Sequence, residues 1–416
     1  MASARSASAA FTRQPALGAH RRTVYIRRMR ILVNGMPAMG AYTGVGYYTW
    51  HLLEELSRRP EVEALGVFDG WRVITWEAFS SRVLSGETDD PPGGSSLRQL
   101  MRTLLPPLRR AWAGMRTRTF CRASAEGGWS LYHEPNYVAY PFTGPLVVTV
   151  HDLSFLRTPE YLPRDRIGWL RENFRDSFAR ADRVMVDSNF SLGEVLALCP
   201  WVDPARLRVA PLGVDARFFA AGEAPVPTSL AADLRLPPRF LLFVGTLEPR
   251  KNLQGLLRAH ALLPEALQRE YPLVITGGRG WRQRYFWRRL QQQRLRGTVR
   301  TLGYVPHGMV PLLMRAATAL CYPSHYEGFG LCPLQAAACG TPVLAGDIPP
   351  LRETLQDAAV FADPADPEAI AAALRRLVED ASLRAVLAAR GRERAAQYTW
   401  DRCADRTVGT YRELLP

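Results

Sequence analysis

Apolar and polar positions along this chain follow two alternating rhythms. Short apolar runs with the look of buried strands give way to stretches where apolar residues recur every three or four positions, as on an amphipathic helix. Arg30 to Gly35 (RILVNG) predicts a first strand, and YYTWHLLEEL after it puts Leu52, Leu53 and Leu56 on one helical face. PLVVTVHD (145–152) and RVMVDSNFS (183–191) predict further strands, the second followed by a Ser/Asn cap and a helix from about Leu192. Between Val214 and Pro238 the rhythm stops, and APVPTSLAADLRLPP reads as a linker. A second series begins with RFLLFVG (239–245) and continues through NLQGLLRAHALL (252–263), PLVITGG (272–278), TVRTLGYV (298–305) and Ala319 to Tyr322. Alternation of this kind predicts an α/β chain with two Rossmann-like, doubly wound, parallel-sheet domains, residues 29–213 and 239–396, joined by the linker 214–238. A ligand is expected in the cleft between them, at the carboxyl ends of the strands. Residues 397–416 read as a closing helix.

Composition narrows the class. The 416 residues are 47% hydrophobic and 22% charged, as in ordinary globular proteins. No apolar run approaches the ~20 residues that span a bilayer. The six cysteines form no C-x-x-C pair, so neither a zinc site nor a disulfide framework is indicated, and a reducing cytoplasm fits. The net charge of +14 comes almost wholly from arginine, which suits a solvated basic surface or attraction to anionic lipid and phosphate-bearing substrates. No nucleic-acid-binding motif accompanies it, so nucleic acid is not an expected partner. Residues 1–28 are rich in Ala, Ser and Arg without an acid, and read as a disordered extension or as sequence ahead of a true start at Met29.

Three loops could carry chemistry. SHYEGFGLCPLQ (324–335) follows a strand, presents Glu327 as an exposed acid between glycines and aromatics, and leads into a helix with Pro333 at its first position and Gly340 past its end. Such a loop offers backbone N–H groups to an anion. In FVGTLEPRKNL (243–253), Arg250 and Lys251 stand just before a helix capped by Asn252, a site for a diphosphate. MPAMGAYTGVG (36–46) places Gly44 and Gly46 in a third loop, between the first strand and its helix. No cluster of metal-ligand spacing stands out.

VVTVHDLSFLRTPEY, GTLEPRKNL, LGYVPH and PSHYEGFGLCPLQAAACGTPV, in this order, resemble the retaining glycosyltransferases of family 4, with the mannosyltransferase branch nearest in look, and the resemblance runs from about Arg30 to the end of the chain. The resemblance implies the two-domain GT-B fold and transfer of a hexose from a nucleotide diphosphate sugar to a hydroxyl of a glycan or lipid-linked acceptor. It implies no metal and no organic cofactor, the sugar nucleotide being the co-substrate. Arg250 and Lys251 would hold the diphosphate, Glu327 would meet hydroxyls of the transferred sugar, and His151 would hydrogen-bond that sugar near its 6-position. The N–H groups of Gly328, Phe329, Gly330 and Leu331 would face sugar and phosphate. Gly44 and Gly46 would approach the phosphates, and Val305 would lie where the backbone grips the nucleobase.

One position departs from the family pattern. The second acid of the E-x7-E motif, which binds the donor ribose, is Gln335 here, with one carbonyl acceptor and an NH2 donor in place of two anionic oxygens. Weaker or altered donor binding is expected, and a catalytically weakened or inactive relative that only binds a sugar nucleotide or a partner protein is the alternative reading. The segment 97–122, with seven arginines and no acid, suggests peripheral contact with an anionic membrane, at the inner face of the plasma membrane, or a helix pair broken at Pro106–Pro107.

Overall fold

The computed structural model describes residues 28–40, 44–85, 106–223, 232–278, 280, 290–292 and 296–415. Two sheets organise it. The first takes β1 (Met29–Asn34), β2 (Val62–Phe68), β3 (Val73–Thr75), β4 (Leu131–Glu134), β5 (Leu146–Val150), β6 (Arg183–Val186) and β7 (Leu207–Val209), in the order β3-β2-β1-β4-β5-β6-β7. Only β3, at the edge, runs antiparallel. The second takes β8 (Leu241–Val244), β9 (Leu273–Thr276), β10 (Val299–Gly303), β11 (Ala319–Tyr322), β12 (Val343–Gly346) and β13 (Ala359–Ala362), in the order β10-β9-β8-β11-β12-β13, with every pairing parallel. Helices cover both faces, so the central strands are apolar along their whole length rather than alternating; LVVTV of β5 and ALCY of β11 are buried at every position. Strand order reverses between β1 and β4 and again between β8 and β11, and a crevice opens at each reversal.

Six helices position the site. α1 (Gly44–Ser57) buries Leu52, Leu53 and Leu56 as its spacing predicts. α2 (Asn189–Leu198) begins three residues before Leu192, because Ser188 is its cap and accepts from the Ser191 N–H at 3.0 Å. α3 (Leu253–Leu262) is capped by Asn252, whose left-handed backbone turns the chain and whose side chain accepts from Gly255 N. α4 (Leu331–Ala338) starts at Leu331, so Pro333 is its third residue rather than its first, a position still within the turn whose N–H groups need no partner. α5 (Pro349–Leu355) follows β12, and α6 (Trp400–Arg412) closes the chain.

The stretch 214–238 is not uniformly featureless: Ala216–Glu223 is helical and Phe218 is fully buried in the core between the lobes. α6 crosses back to the first lobe. Val214 N donates to Tyr398 O at 3.0 Å, and Gly213 lies so near Trp400 that a Cβ there would come within 2.2 Å of its backbone nitrogen. Arg59 binds Asp401 at 2.7 Å, and Glu413 accepts from Arg183 and Arg208 at 2.9 and 2.6 Å. Prolines 106 and 107 open a helix, Pro106–Ala125; residues 97–105, where the first helix of the expected pair would fall, lie outside the described residues. Trp281 and Trp287, and residues 1–27, also lie outside them. Among the described residues no helix is long and apolar enough to cross a membrane.

Candidate active site

The chain leaves β8 at Val244 and makes one tight turn, Pro249–Lys251, before α3. That turn aims Arg250 and Lys251 at the loop leaving β11, the neighbouring strand across the reversal. Glu327 meets both: Oε2 accepts from Arg250 Nη1 at 3.0 Å and Oε1 from Lys251 Nζ at 2.7 Å. Arg250 also reaches Glu248 Oε1 through Nε and Nη2 at 3.1 and 2.7 Å, and Tyr326 O through Nη1 at 2.8 Å. Lys251 donates to the Tyr322 hydroxyl and lies 4.8 Å from the centre of that ring. Glu327, expected on an exposed loop, is only 6% exposed. Burial by itself would push its carboxyl up, but Lys251 and Arg250 hold it below the usual carboxylate range. Burial likewise opposes charge on Arg250, and Glu327, Glu248 and Asp152 more than offset it.

The donors in this cluster are not all used. A guanidinium has five N–H groups and an ammonium three. Arg250 spends four on Glu248, Tyr326 and Glu327, and Lys251 spends two on Tyr322 and Glu327. Among the described residues one N–H on each cation has no acceptor, and the two cations are fixed in place by the carboxylates they meet.

The glycine loop is pressed against the first lobe. Gly328 lies so near His151 O that a Cβ there would come within 1.7 Å of that oxygen, and Gly328 O accepts from Ser188 Oγ at 2.6 Å and Ser191 Oγ at 3.2 Å. Phe329 is buried edge-on to Tyr398, and its carbonyl accepts from Thr354 Oγ1 at 2.7 Å. Gly330 has φ +96°, open to glycine alone without strain, and ends the loop at the start of α4. The N–H groups of Gly328, Phe329, Gly330 and Leu331 donate to no other described residue, as an anion-binding loop requires.

Other predicted residues stand elsewhere. Gly44 and Gly46 are not in a loop but on the first turn of α1, with Gly44 exposed in open space and Gly46 buried. His151 lies at the end of β5, but its ring is committed: Nδ1 faces Asp187 Oδ2 at 2.7 Å and Nε2 faces Pro135 O at 3.0 Å. Burial opposes charging the ring, yet Asp187 and the Pro135 carbonyl raise its pKa above the ordinary value. Both ring nitrogens face acceptors within the first lobe, so in this geometry neither is turned to a sugar hydroxyl, and what His151 offers the cleft is, through its carbonyl, the seat for Gly328. Gln335 is buried on α4, 7% exposed, and its side-chain amide makes no hydrogen bond with a described residue. Val305 is buried beside the exposed Tyr304. No hydrogen bond or ion pair links Val305, Gln335 or Gly44 to the ion cluster.

A family model described as glycosyl transferases group 1 matches residues 231–394, the lobe that carries Arg250, Lys251 and Glu327. O-antigen chain mannosyltransferase B of Escherichia coli is 32% identical over 399 residues, covering 93% of this chain and 100% of that protein. The chain belongs to the group 1 glycosyltransferases, family 4. Its fold is GT-B: sucrose-phosphate synthase of Thermosynechococcus elongatus superposes with a TM-score of 0.69 at 23% identity, covering 93% of this chain and 99% of that one. Anabaena HepE in complex with UDP-glucose superposes at 0.67 with 17% identity, covering 93% and 100%.

Three acids of this glycosyltransferase were given no part in the chemistry from the sequence, Asp152 being read there only as positioning the backbone or His151. Glu248 grips Arg250 and was legible only as an acid two residues before it. Asp187 grips His151, and its Oδ1 is buried without a partner. Asp152 accepts from Tyr137 OH at 3.1 Å and Ser154 N at 2.9 Å; burial would raise its carboxyl, but the Arg250 guanidinium of the other lobe and these donors lower it. Among the described residues no group of three or more His, Cys, Asp or Glu is arranged to hold a metal ion.

Proposed function

We propose that this glycosyltransferase is a retaining hexosyltransferase that takes a nucleotide diphosphate sugar as donor and a hydroxyl of a glycan or lipid-linked molecule as acceptor. The observation that carries the reading is the ion cluster at the strand reversal: Arg250 and Lys251, locked by Glu327 and Glu248, each keep one N–H that no described residue accepts and that can meet an incoming diphosphate. The name of the Escherichia coli relative favours mannose as the hexose and polysaccharide biosynthesis as the setting. The acceptor oxygen bonds to the anomeric carbon as that carbon parts from the donor phosphate oxygen, on the same face of the sugar. The acceptor proton passes to an oxygen of the departing diphosphate. No side chain serves as covalent nucleophile in this scheme, which agrees with the nearby carboxylates Glu327, Glu248 and Asp152 being engaged by cations or donors. The protein supplies orientation and charge neutralisation, the latter worth ~3–4 kcal/mol per well-placed donor, and neither a metal nor an organic cofactor is needed. In this reading Gln335, whose side-chain amide makes no hydrogen bond with a described residue, takes the donor ribose.

The test must separate chemistry from folding. Deleting Arg250 would strand Glu248 as an uncompensated buried charge and leave Glu327 with Lys251 alone, at a cost of ~3–5 kcal/mol in stability. Arg250→Lys keeps the charge and loses the fork, and Lys251→Met leaves Glu327 paired with Arg250. With GDP-mannose, UDP-glucose and UDP-N-acetylglucosamine as donors, wild-type protein should be stabilised thermally by at least one and transfer its sugar with retention. Both variants should lose at least ~100-fold in turnover while melting near the wild-type temperature. Unchanged turnover in both would overturn the assignment.

The same reading places the protein at a membrane surface on the cytoplasmic side. Its support is a basic, aromatic face on the first lobe, where Trp71 and Met115 are exposed and Arg116 lies 5.7 Å from the centre of the Trp71 ring.

A further inference from the structure

Several hydrogen bonds join the lobes at the end of β6. Three consecutive residues there serve three parts of the site: Asp187 holds His151, Ser188 holds the Gly328 carbonyl, and Asn189 opens α2. At the amino end of α2 the backbone N–H groups of Asn189 and Phe190 have no carbonyl partner within the helix. A carboxylate from the other lobe takes them. Glu353 Oε1 accepts from Asn189 N at 2.9 Å and from Asn189 Nδ2 at 3.0 Å, and Oε2 accepts from Phe190 N at 2.9 Å. A negative charge is favoured at a helix amino end, and hydrogen bonds to an ionised oxygen are the stronger kind.

Glu353 is itself held firmly. Arg394 Nη2 donates to its carbonyl at 2.8 Å and Arg394 Nε to the Thr354 carbonyl at 2.9 Å. Thr354 in turn donates to Phe329 O, so α5 touches the glycine loop directly. The loop that carries Glu327 is therefore gripped from both lobes: Ser188 and Ser191 hold Gly328 O, and Thr354 holds Phe329 O. Glu353 ties the two grips to each other, and its three side-chain hydrogen bonds to described residues all cross the lobe boundary. It makes no hydrogen bond to Arg250, Lys251, Glu327 or His151.

We propose that Glu353 is a positioning residue for the transfer reaction, a latch that locks the lobes in the register where the Glu327 loop seats on His151. The inference rests on the reading of this chain as a sugar-nucleotide transferase. Its consequence is a separation of binding from turnover. The nucleotide is held by the second lobe, whose ion cluster does not touch Glu353, so affinity for a nucleoside diphosphate is independent of the latch. Turnover needs both lobes in register, and depends on it.

The experiment compares full-length wild type, Glu353→Ala and Glu353→Gln. Amide exchange over residues 187–198 is followed by mass spectrometry without substrate, Kd for UDP and GDP by calorimetry, and turnover with the donor the wild type uses. In E353A, exchange at the start of α2 should quicken at least tenfold and kcat should fall at least tenfold, with nucleotide Kd within twofold of wild type. E353Q keeps a carbonyl for the Asn189 pair and loses the acceptor for Phe190, so it should lie between the two in exchange and in kcat. A residue that merely stabilised the fold would lower binding capacity and turnover in the same proportion. Unchanged exchange in E353A overturns the latch, and so does unchanged kcat alongside quickened exchange. Wild type that turns over no sugar nucleotide refutes the functional reading by itself, and the exchange measurement then still decides whether the latch exists.

Discussion

Glu327 and Gly328 are neighbours with opposite requirements. The acid is worth burying only because two cations meet it, while the glycine is required because a carbonyl of the other lobe occupies the space a Cβ would need. The first fact was half legible: Arg250, Lys251 and Glu327 were singled out from local spacing, but nothing in 324–335 says that 243–253 lies against it. The second was not legible at all, since the partner of Gly328 is His151, far away in the chain. Gly328→Ala should force the lobes apart by more than 1 Å, given the 1.7 Å approach a Cβ would make to His151 O and the contact limit of about 3.0 Å. A displacement of that size costs ~100-fold in turnover where reacting groups must align. Steady-state kinetics should show that loss while nucleotide affinity, a property of the second lobe, is retained; wild-type kcat in G328A would show that the contact is dispensable.

Elements were read well where they are apolar and poorly where they carry polar side chains inward. β4 is LYHE, which has no strand rhythm, yet all four residues are buried. Its His133 joins four elements: Nδ1 meets Tyr411 OH of α6 at 2.6 Å, Nε2 meets Thr149 Oγ1 of β5 at 2.7 Å, and Thr149 meets Tyr48 OH of α1 at 3.0 Å. Burial, with the charge on His151 adding to it, pushes His133 down to about 3. An unfolded histidine titrates near ~6.5. Between those values the unfolded chain takes up a proton that the folded one refuses, so stability should fall as pH drops from about 7 towards 4. Thermal melts at stepped pH should show this acid slope, and His133→Gln should make it shallower; equal slopes would refute the assignment. Tyr411→Phe leaves a buried ring nitrogen without its partner and should cost ~1–3 kcal/mol at neutral pH.

At the scale of the molecule, the chain visits the first lobe, the second, and then the first again through α6. The exposed ion pairs at that return, Glu413 with Arg183 and Arg208 among them, contribute little each. The seam rests instead on packing around Trp400, buried between the lobes. Surface charge belongs to this scale too. A net charge of +14 spread over arginines should draw the first-lobe face that bears Trp71 and Arg116 to anionic bilayers. Cosedimentation with vesicles of phosphatidylglycerol and phosphatidylcholine should be strong at low salt and fall steeply as salt is raised, and Arg116→Glu should weaken it. Binding that ignores both salt and this substitution would remove the electrostatic account.

The sequence alone determined the class of fold, the place of the glycine and cation loops at strand ends, and the adjacent cation pair Arg250–Lys251, because each is written in local periodicity or in residues a few positions apart. Only the tertiary structure decided which partners those residues have. Asp187 on His151, Glu248 on Arg250, the two serines on Gly328 and Glu353 on α2 are contacts between distant segments or between single acids and their neighbours. Their energy depends on burial and direction, and neither quantity exists until the two sheets and their helices have closed around the cleft.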